Sequence, residues 1–451
     1  MKERLNLKSS VLIGSLLFGL FFGAGNLIFP VQMGQLAGRN TLHATIGFLI
    51  TGVGLPLLGV IASALSRSES LYDMAKPVNR AYSIFFTCAL YLTIGPLFAI
   101  PRTASVAFEV GLNPFIKKEY LQLGLFIFSL IFFAVTLYFS LRPSRIIDWV
   151  GKYLTPIFLA LLSILILATL LKPMGQVSEF PAQGDYNQKP FFIGLLDGYH
   201  TMDALASLAF AIVIISNIEK LGVIHPKRKA IETSKSGLIC VVGMSLIYAS
   251  LAYLGATSLG SVGYGKNGGM ILSLVSEHYF GYTGQILLAA IVTVACLKTA
   301  IGLITSCAQM FSEMFPKSVS YRTYAIIFTV VSFFIANFGL NKIIQLSTPV
   351  LMFLYPLAIT LILLSLLSPV LKKQKQVYKW TTALTAFAAF FDFCNALPAS
   401  IKGNGVVNSI LNFAKAYLPG FSYGFGWILP AVIGFGVGVI LWRVKLNKSQ
   451  A

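Results

Sequence analysis

Apolar residues run through this chain in long blocks, each closed by a short cluster of Lys, Arg, Asn, Gly or Pro. A helix needs about 20 apolar residues to cross a bilayer. Twelve blocks meet or approach that length, at 10–36, 41–65, 81–109, 120–141, 150–171, 191–216, 236–259, 284–311, 323–340, 343–368, 380–400 and 425–442. The ninth is short. The pattern predicts an all-α membrane protein of about 12 transmembrane helices, with a Gly- and Asn-rich external loop over 403–425.

Composition agrees. Of the 451 residues 56% are hydrophobic and 11% charged, and the mean hydropathy is +0.79. Soluble domains carry about 25% charged residues, so a water-facing coat is missing. A soluble enzyme, a disordered chain and a secreted disulfide scaffold are excluded. The five cysteines stand singly in apolar runs and read as small core hydrophobes in a reducing setting.

The net charge of +19 changes the picture only through its placement. Counting alternate loops, 23 of the 34 Lys and Arg residues share the side of the N-terminus and 9 lie on the other, with Arg102 and Lys298 inside spans. The positive-inside rule then puts both termini in the cytoplasm, and it accounts for the basic charge without nucleic acid. The run from Val11 to Leu36 is longer than the roughly 7–15 residues of a signal-peptide core, so it reads as a retained first span.

Two spans carry helix breakers at mid-membrane depth. The first contains Gly23-Ala24-Gly25-Asn26-Leu27-Ile28-Phe29-Pro30, and the sixth Asp197-Gly198-Tyr199-His200-Thr201-Met202-Asp203. Broken backbone survives in lipid only where it faces protein or a cavity, and ionisable residues there are functional candidates. The breaks are five spans apart, and an odd number of spans inverts the second half relative to the first. Interrupted segments at corresponding places in two halves mark the binding site of a secondary transporter. Half-helix N-termini offer N–H groups to an anion, and half-helix C-termini offer carbonyls to a hard cation. The implied substrate is small, carries a carboxylate and travels with a cation. Two ordinary proline kinks are the plainer alternative.

The runs LFFGAGNLIFPVQMGQLAG, GPLFAIPRTASVAFEVGLNPF and GYHTMDALASLAFAIVI closely resemble the bacterial branched-chain amino acid carriers, the LIVCS family, over essentially the whole chain. That family lies within the wider amino acid–polyamine–organocation group. The resemblance implies uptake of leucine, isoleucine and valine across the bacterial inner (plasma) membrane, driven by sodium or proton gradients. It implies the LeuT-type 5+5 inverted repeat, a fold that is itself a standard example of such transporters. The expected organisation is a first five-helix repeat at 1–171, a second, inverted one at 190–369, and two additional helices at 380–442. The first break is similar to the sodium-symporter pattern Gly-x-Gly-Asn…Phe-Pro-Val-Gln, met as Gly23, Gly25, Asn26, Phe29, Pro30, Val31 and Gln32. By that resemblance Asn26 ligates Na+ through its side-chain oxygen. Phe21 gives a carbonyl near substrate and first cation, Gly19 and Phe22 give carbonyls to a second cation, and the N–H groups of Ala24 and Gly25 hold the substrate carboxylate. In the sixth span Tyr199, Thr201 and Asp203 are the candidates for contacts to substrate and cation.

The LeuT-type second cation site takes a carbonyl, then hydroxyls three and four residues later, on the eighth span. Two windows fit: Gly302 with Thr305 and Ser306, or Ala295 with Lys298 and Thr299, which lies closer to mid-span. Lys298 stands about 21 Å along the helix from the span's start, too far to snorkel outward. It either replaces a sodium ion, carries H+, or is structural. Arg102 is read as an ion pair with Glu109 or as a gate of the outer vestibule. Met202, Phe210 and Ile304 are candidates for the apolar pocket, in which leucine, isoleucine and valine should overlap, since such pockets separate single methylenes by only about 1–3 kcal/mol. The four histidines have no metal-ligand spacing, so an enzyme is not expected. No Walker-type loop occurs, so no cofactor and no ATPase partner is expected. A channel or facilitator is the rival class.

Overall fold

The computed structural model describes residues 5–68, 70–142, 155–402 and 405–450, and the regular structure among them is helical, without strands. The first span is two helices, α1 (Leu7–Phe21) and α2 (Ala24–Ala37), parted at Phe22 and Gly23. The second is α3 (Thr41–Leu49) and α4 (Leu55–Ser66) joined by a wide turn over Ile50–Gly54. The third is α5 (Arg80–Leu92) and α6 (Ala99–Gly111), joined through Thr93–Leu97, where Gly95 leaves helical geometry ahead of Pro96. Next come α7 (Leu121–Ser140) and α8 (Thr155–Leu171); the predicted start of the fifth span at 150 lies outside the described residues. The sixth span is α9 (Pro190–Asp197), a tight turn over Gly198–Thr201, and α10 (Asp203–Lys220). The chain continues with α11 (Pro226–Ser258), α12 (Gly268–Met314), α13 (Tyr321–Ala336), α14 (Leu340–Leu366), α15 (Lys375–Ala396), α16 (Gly405–Tyr417) and α17 (Ile428–Gln450).

The structure refines three of these expectations. The eighth span, predicted from 284, is the part of α12 beyond a break at Gly281, whose φ of +62° suits a residue without Cβ; a further helical stretch from Gly268 precedes that break. The 403–425 segment is not all loop, because α16 folds there and buries Leu411 and Ala414 against Phe391, Cys394 and Phe421. That packing outweighs the turn preferences of Asn408 and Asn412. The first break, expected within Gly23–Pro30, lies at the glycine end of that stretch, at Phe22–Gly23, and Phe29 and Pro30 are enclosed in α2. Pro30 instead deprives the Asn26 carbonyl of its i+4 donor.

Packing explains how broken helices stay in place. α11 lies along both α1 and α2, while α3 and α4 lie along α9 and α10 respectively. The crossings are glycine contacts. A Cβ on Gly34 would stand 1.9 Å from the Ala252 oxygen and one on Gly255 2.0 Å from the Val31 oxygen. A Cβ on Gly47 would likewise stand 2.1 Å from the Phe191 oxygen and one on Gly194 2.0 Å from the Ala44 oxygen. Small residues let backbones approach where lipid supplies no hydrophobic drive between helices. α6 packs on α12, and α14, α15 and α17 stack in sequence at one side.

Candidate transport site

The two breaks meet in the middle of the bundle. α1 ends when Phe22 turns extended, leaving its last carbonyls without helical donors. α2 starts at Gly23, which has no side chain to cap the first N–H groups. Asn26 compensates partly: its Oδ1 accepts from the Gly23 N–H at 2.9 Å. Across the gap, Met202 takes a left-handed conformation with φ of +64° and opens α10 at Asp203. A non-glycine residue held there stores about 1–3 kcal/mol of strain, a common property of functional sites.

A buried polar triad ties the breaks together. Asn26 Nδ2 donates to Asp203 Oδ2 at 2.6 Å and also to the Tyr248 hydroxyl. Tyr248 in turn donates to Asp203 Oδ2 at 3.1 Å. The Asn26 amide is oriented as the chemistry requires, with nitrogen toward the carboxylate and oxygen toward a backbone donor. One lone pair of Oδ1 is therefore taken by Gly23, which leaves the other for the expected cation role. Thr201 Oγ1 accepts from the Asp203 N–H at 3.3 Å and donates to the Gly198 oxygen at 2.9 Å, bracing the turn. Tyr199 stacks on Tyr355 of α14 with ring centroids 3.9 Å apart.

Between the breaks lies a small cavity of about 40 Å³, tighter than the roughly 300–1,000 Å³ of open small-molecule sites. Phe21, Ala24, Gly25, Asn26, Thr201, Asp203 and Thr299 all line it, as do Met202 and Phe210. Ile304 does not; its neighbour Leu303 does, with Ile94, Ala99 and Ala206 completing the apolar wall. Tyr199 is buried behind the lining rather than in it.

The two windows on α12 separate. Lys298 Nζ stands 3.5 Å from where a Cβ on Gly19 would be, and Thr299 Oγ1 3.6 Å from the equivalent point on Gly23. Both therefore face the end of α1. Phe22 stacks on Phe18 and tilts toward Tyr248, so its ring points into the bundle. Thr305 and Ser306 lie farther along α12 and do not line the cavity; the Thr305 hydroxyl is buried without a hydrogen-bond partner.

Arg102 is not paired with Glu109. Its Nη1 donates to the His200 oxygen at 2.6 Å and its guanidinium sits 5.1 Å from the centre of the Phe29 ring, which stacks on His200. Glu109 instead accepts from Asn267 at 3.0 Å. The wide turn at Gly95–Pro96 re-aims α6 and brings Arg102 into the cavity lining. Sequence reading missed this use of Arg102, though an arginine beside a Gly-Pro break was the available signal. It missed Tyr248 entirely; a hydroxyl inside the apolar run SLIYASLAY was the only hint.

Helices interrupted around a shared polar cavity define a multi-pass membrane transporter of the LeuT-type fold. Two solved states of the nucleobase-cation-symport-1 family transporter Mhp1 share the architecture. The closed form with bromovinylhydantoin bound has a TM-score of 0.59 at 17% identity, covering 97% of this chain and 93% of its own. The inward-facing form has a TM-score of 0.61 at 14% identity, covering 98% and 95%. The family described as "Branched-chain amino acid transport protein" matches residues 6–445. Similar proteins include the branched-chain amino acid permease BrnQ of Lactobacillus delbrueckii subsp. lactis, 48% identical with 100% of both chains covered. The permease BraB of Bacillus subtilis is 45% identical, covering 98% of this chain and 97% of its own. The branched-chain amino acid transport system 2 carrier protein of Pseudomonas aeruginosa is 41% identical over 97% of each. This chain belongs to the branched-chain amino acid transport protein family; it is a transport protein and not an enzyme.

Proposed function

We propose that the protein is a secondary active carrier that brings leucine, isoleucine and valine across a bacterial plasma membrane, both termini cytoplasmic, using a sodium gradient. The observation that carries this reading is the charge layout of the cavity. Its lining presents the N-terminus of α2 at Ala24 and Gly25, suited to a carboxylate. It also presents the Asp203 carboxylate and the Phe21 end of α1, suited to an ammonium. Ile94, Ala206, Phe210 and Leu303 add an apolar wall, suited to a branched aliphatic side chain. A zwitterion with such a side chain matches all three surfaces. The names of the relatives support the same substrates.

On this reading residues 1–171 and 190–369 form two inverted repeats and 380–442 stands outside them. The reciprocal glycine crossings of α2 with α11 and of α3 with α9 support that division. The sodium ion would be held by the Asn26 side-chain oxygen, and Gly19, Phe22 and Thr299 surround a second position. Lys298 beside Gly19 favours a second reading, in which its ammonium replaces that ion or relays a proton. Uptake of labelled leucine into proteoliposomes, with sodium and proton gradients imposed separately, tests both. Accumulation on the sodium gradient alone is expected. Accumulation on the proton gradient alone would replace sodium with Lys298-linked protons, and mere equilibration would make the protein a facilitator.

A further inference from the structure

Arg102 is a full positive charge buried to 4% exposure in a membrane protein. Burying a charge is costly unless it is paired, yet among the described residues it forms no ion pair with a carboxylate. The Asp203 carboxylate, the one acid in the cavity lining, already accepts from Asn26 and Tyr248 through Oδ2. A guanidinium has five donors, and among the described residues that of Arg102 makes one hydrogen bond, from Nη1 to the His200 oxygen. Its second terminal nitrogen faces the start of α2. A Cβ built on Gly25 would stand 2.8 Å from Nη2 and 3.2 Å from Cζ, so the missing side chain is what keeps the guanidinium open to the helix N-terminus. The ring of Phe29 and the stacked His200 wall off the other side. An arginine fork and a helix N-terminus converging on one small space is an anion site, and a carboxylate is the anion whose two oxygens match the fork.

We infer that Arg102 is a substrate-binding residue: its guanidinium, with the N–H groups of Ala24 and Gly25, holds the carboxylate of the transported amino acid and makes the carrier reject analogues without one. Substrate thus gives the guanidinium a direct anionic partner, where the empty cavity offers it only the Asp203 carboxylate at longer range.

The inference rests on the amino acid reading above, and the test keeps the two apart. Inhibition of labelled leucine uptake is measured with unlabelled leucine and with leucinol, which keeps the amine and side chain but lacks the carboxylate. Wild-type carrier should prefer leucine by at least about 100-fold. Arg102→Gln should cut that preference at least tenfold, because the carboxylate loses its partner while leucinol loses nothing. Arg102→Lys, which keeps the charge without the fork, should fall between them and carries the test if the glutamine variant does not fold. A preference unchanged within twofold in a folded Arg102 variant would overturn the inference and leave the amino acid reading standing. Wild-type carrier that takes up no leucine would overturn that reading instead, and the inference with it.

Discussion

Tyr248→Phe removes one oxygen atom from the triad that joins the two breaks and keeps the ring. The edge contact with Phe48, at 5.4 Å between centroids, and the tilt against Phe22 need no hydroxyl. Two hydrogen bonds vanish, the 3.1 Å donation to Asp203 Oδ2 and the one accepted from Asn26. Asn26 and Asp203 keep their mutual 2.6 Å bond, so neither is fully orphaned. A hydrogen bond to a charged group contributes about 1.5–3 kcal/mol, and each 1.4 kcal/mol is about tenfold in an equilibrium constant. If the hydroxyl holds Asp203 in the orientation that receives the substrate ammonium, the leucine KM should rise about 10-fold, with 100-fold as the ceiling. The assay is initial-rate uptake of labelled leucine over a concentration series in proteoliposomes with matched amounts of carrier. A KM and maximal rate both within twofold of wild type would refute the reasoning, since the triad would then be structural decoration near the site.

Other substitutions probe different parts of the account. Lys298→Met should change the sodium or the pH dependence of uptake; identical dependence on both would remove Lys298 from the cation position. Gly255→Ala puts a Cβ 2.0 Å from the Val31 oxygen, and overpacking of this kind costs about 1–3 kcal/mol, so detergent-solubilised protein should melt lower. Gly302→Ala meets nothing within 4 Å and should melt no lower than wild type, which makes it the matched control. Asp392 on α15 is 4% exposed, with neither carboxylate oxygen hydrogen-bonded among the described residues. Asp392→Asn keeps the shape without the ionisable group, so its melting temperature should equal or exceed wild type, and a clear fall would show that the charge is used.

The helical bundle was legible because lipid demands long apolar runs and leaves breakers nowhere to hide. Gly23 to Asn26 and Gly198 to Asp203 announced the site for that reason, and most of those residues do line the cavity. The stretch from Gly23 to Pro30 marked the first break, which falls at its glycine end, and α2 encloses Pro30 at the cost of one hydrogen bond. Arg102 and Tyr248 were harder to place. Each lies on a helix whose face is set by packing against distant elements, α6 by the bend at Gly95 and α11 by the glycine crossings with α2. The choice between Lys298 with Thr299 and Thr305 with Ser306 was likewise a question of axial register between α1 and α12, which spacing along one helix cannot answer.

The most direct measurement is an experimental structure of the carrier with leucine and sodium present. The account predicts leucine between the breaks, its carboxylate at the Ala24 and Gly25 N–H groups, its ammonium toward Asp203 and its side chain against Phe210 and Leu303. Leucine bound anywhere else, or with its ends reversed, would contradict it.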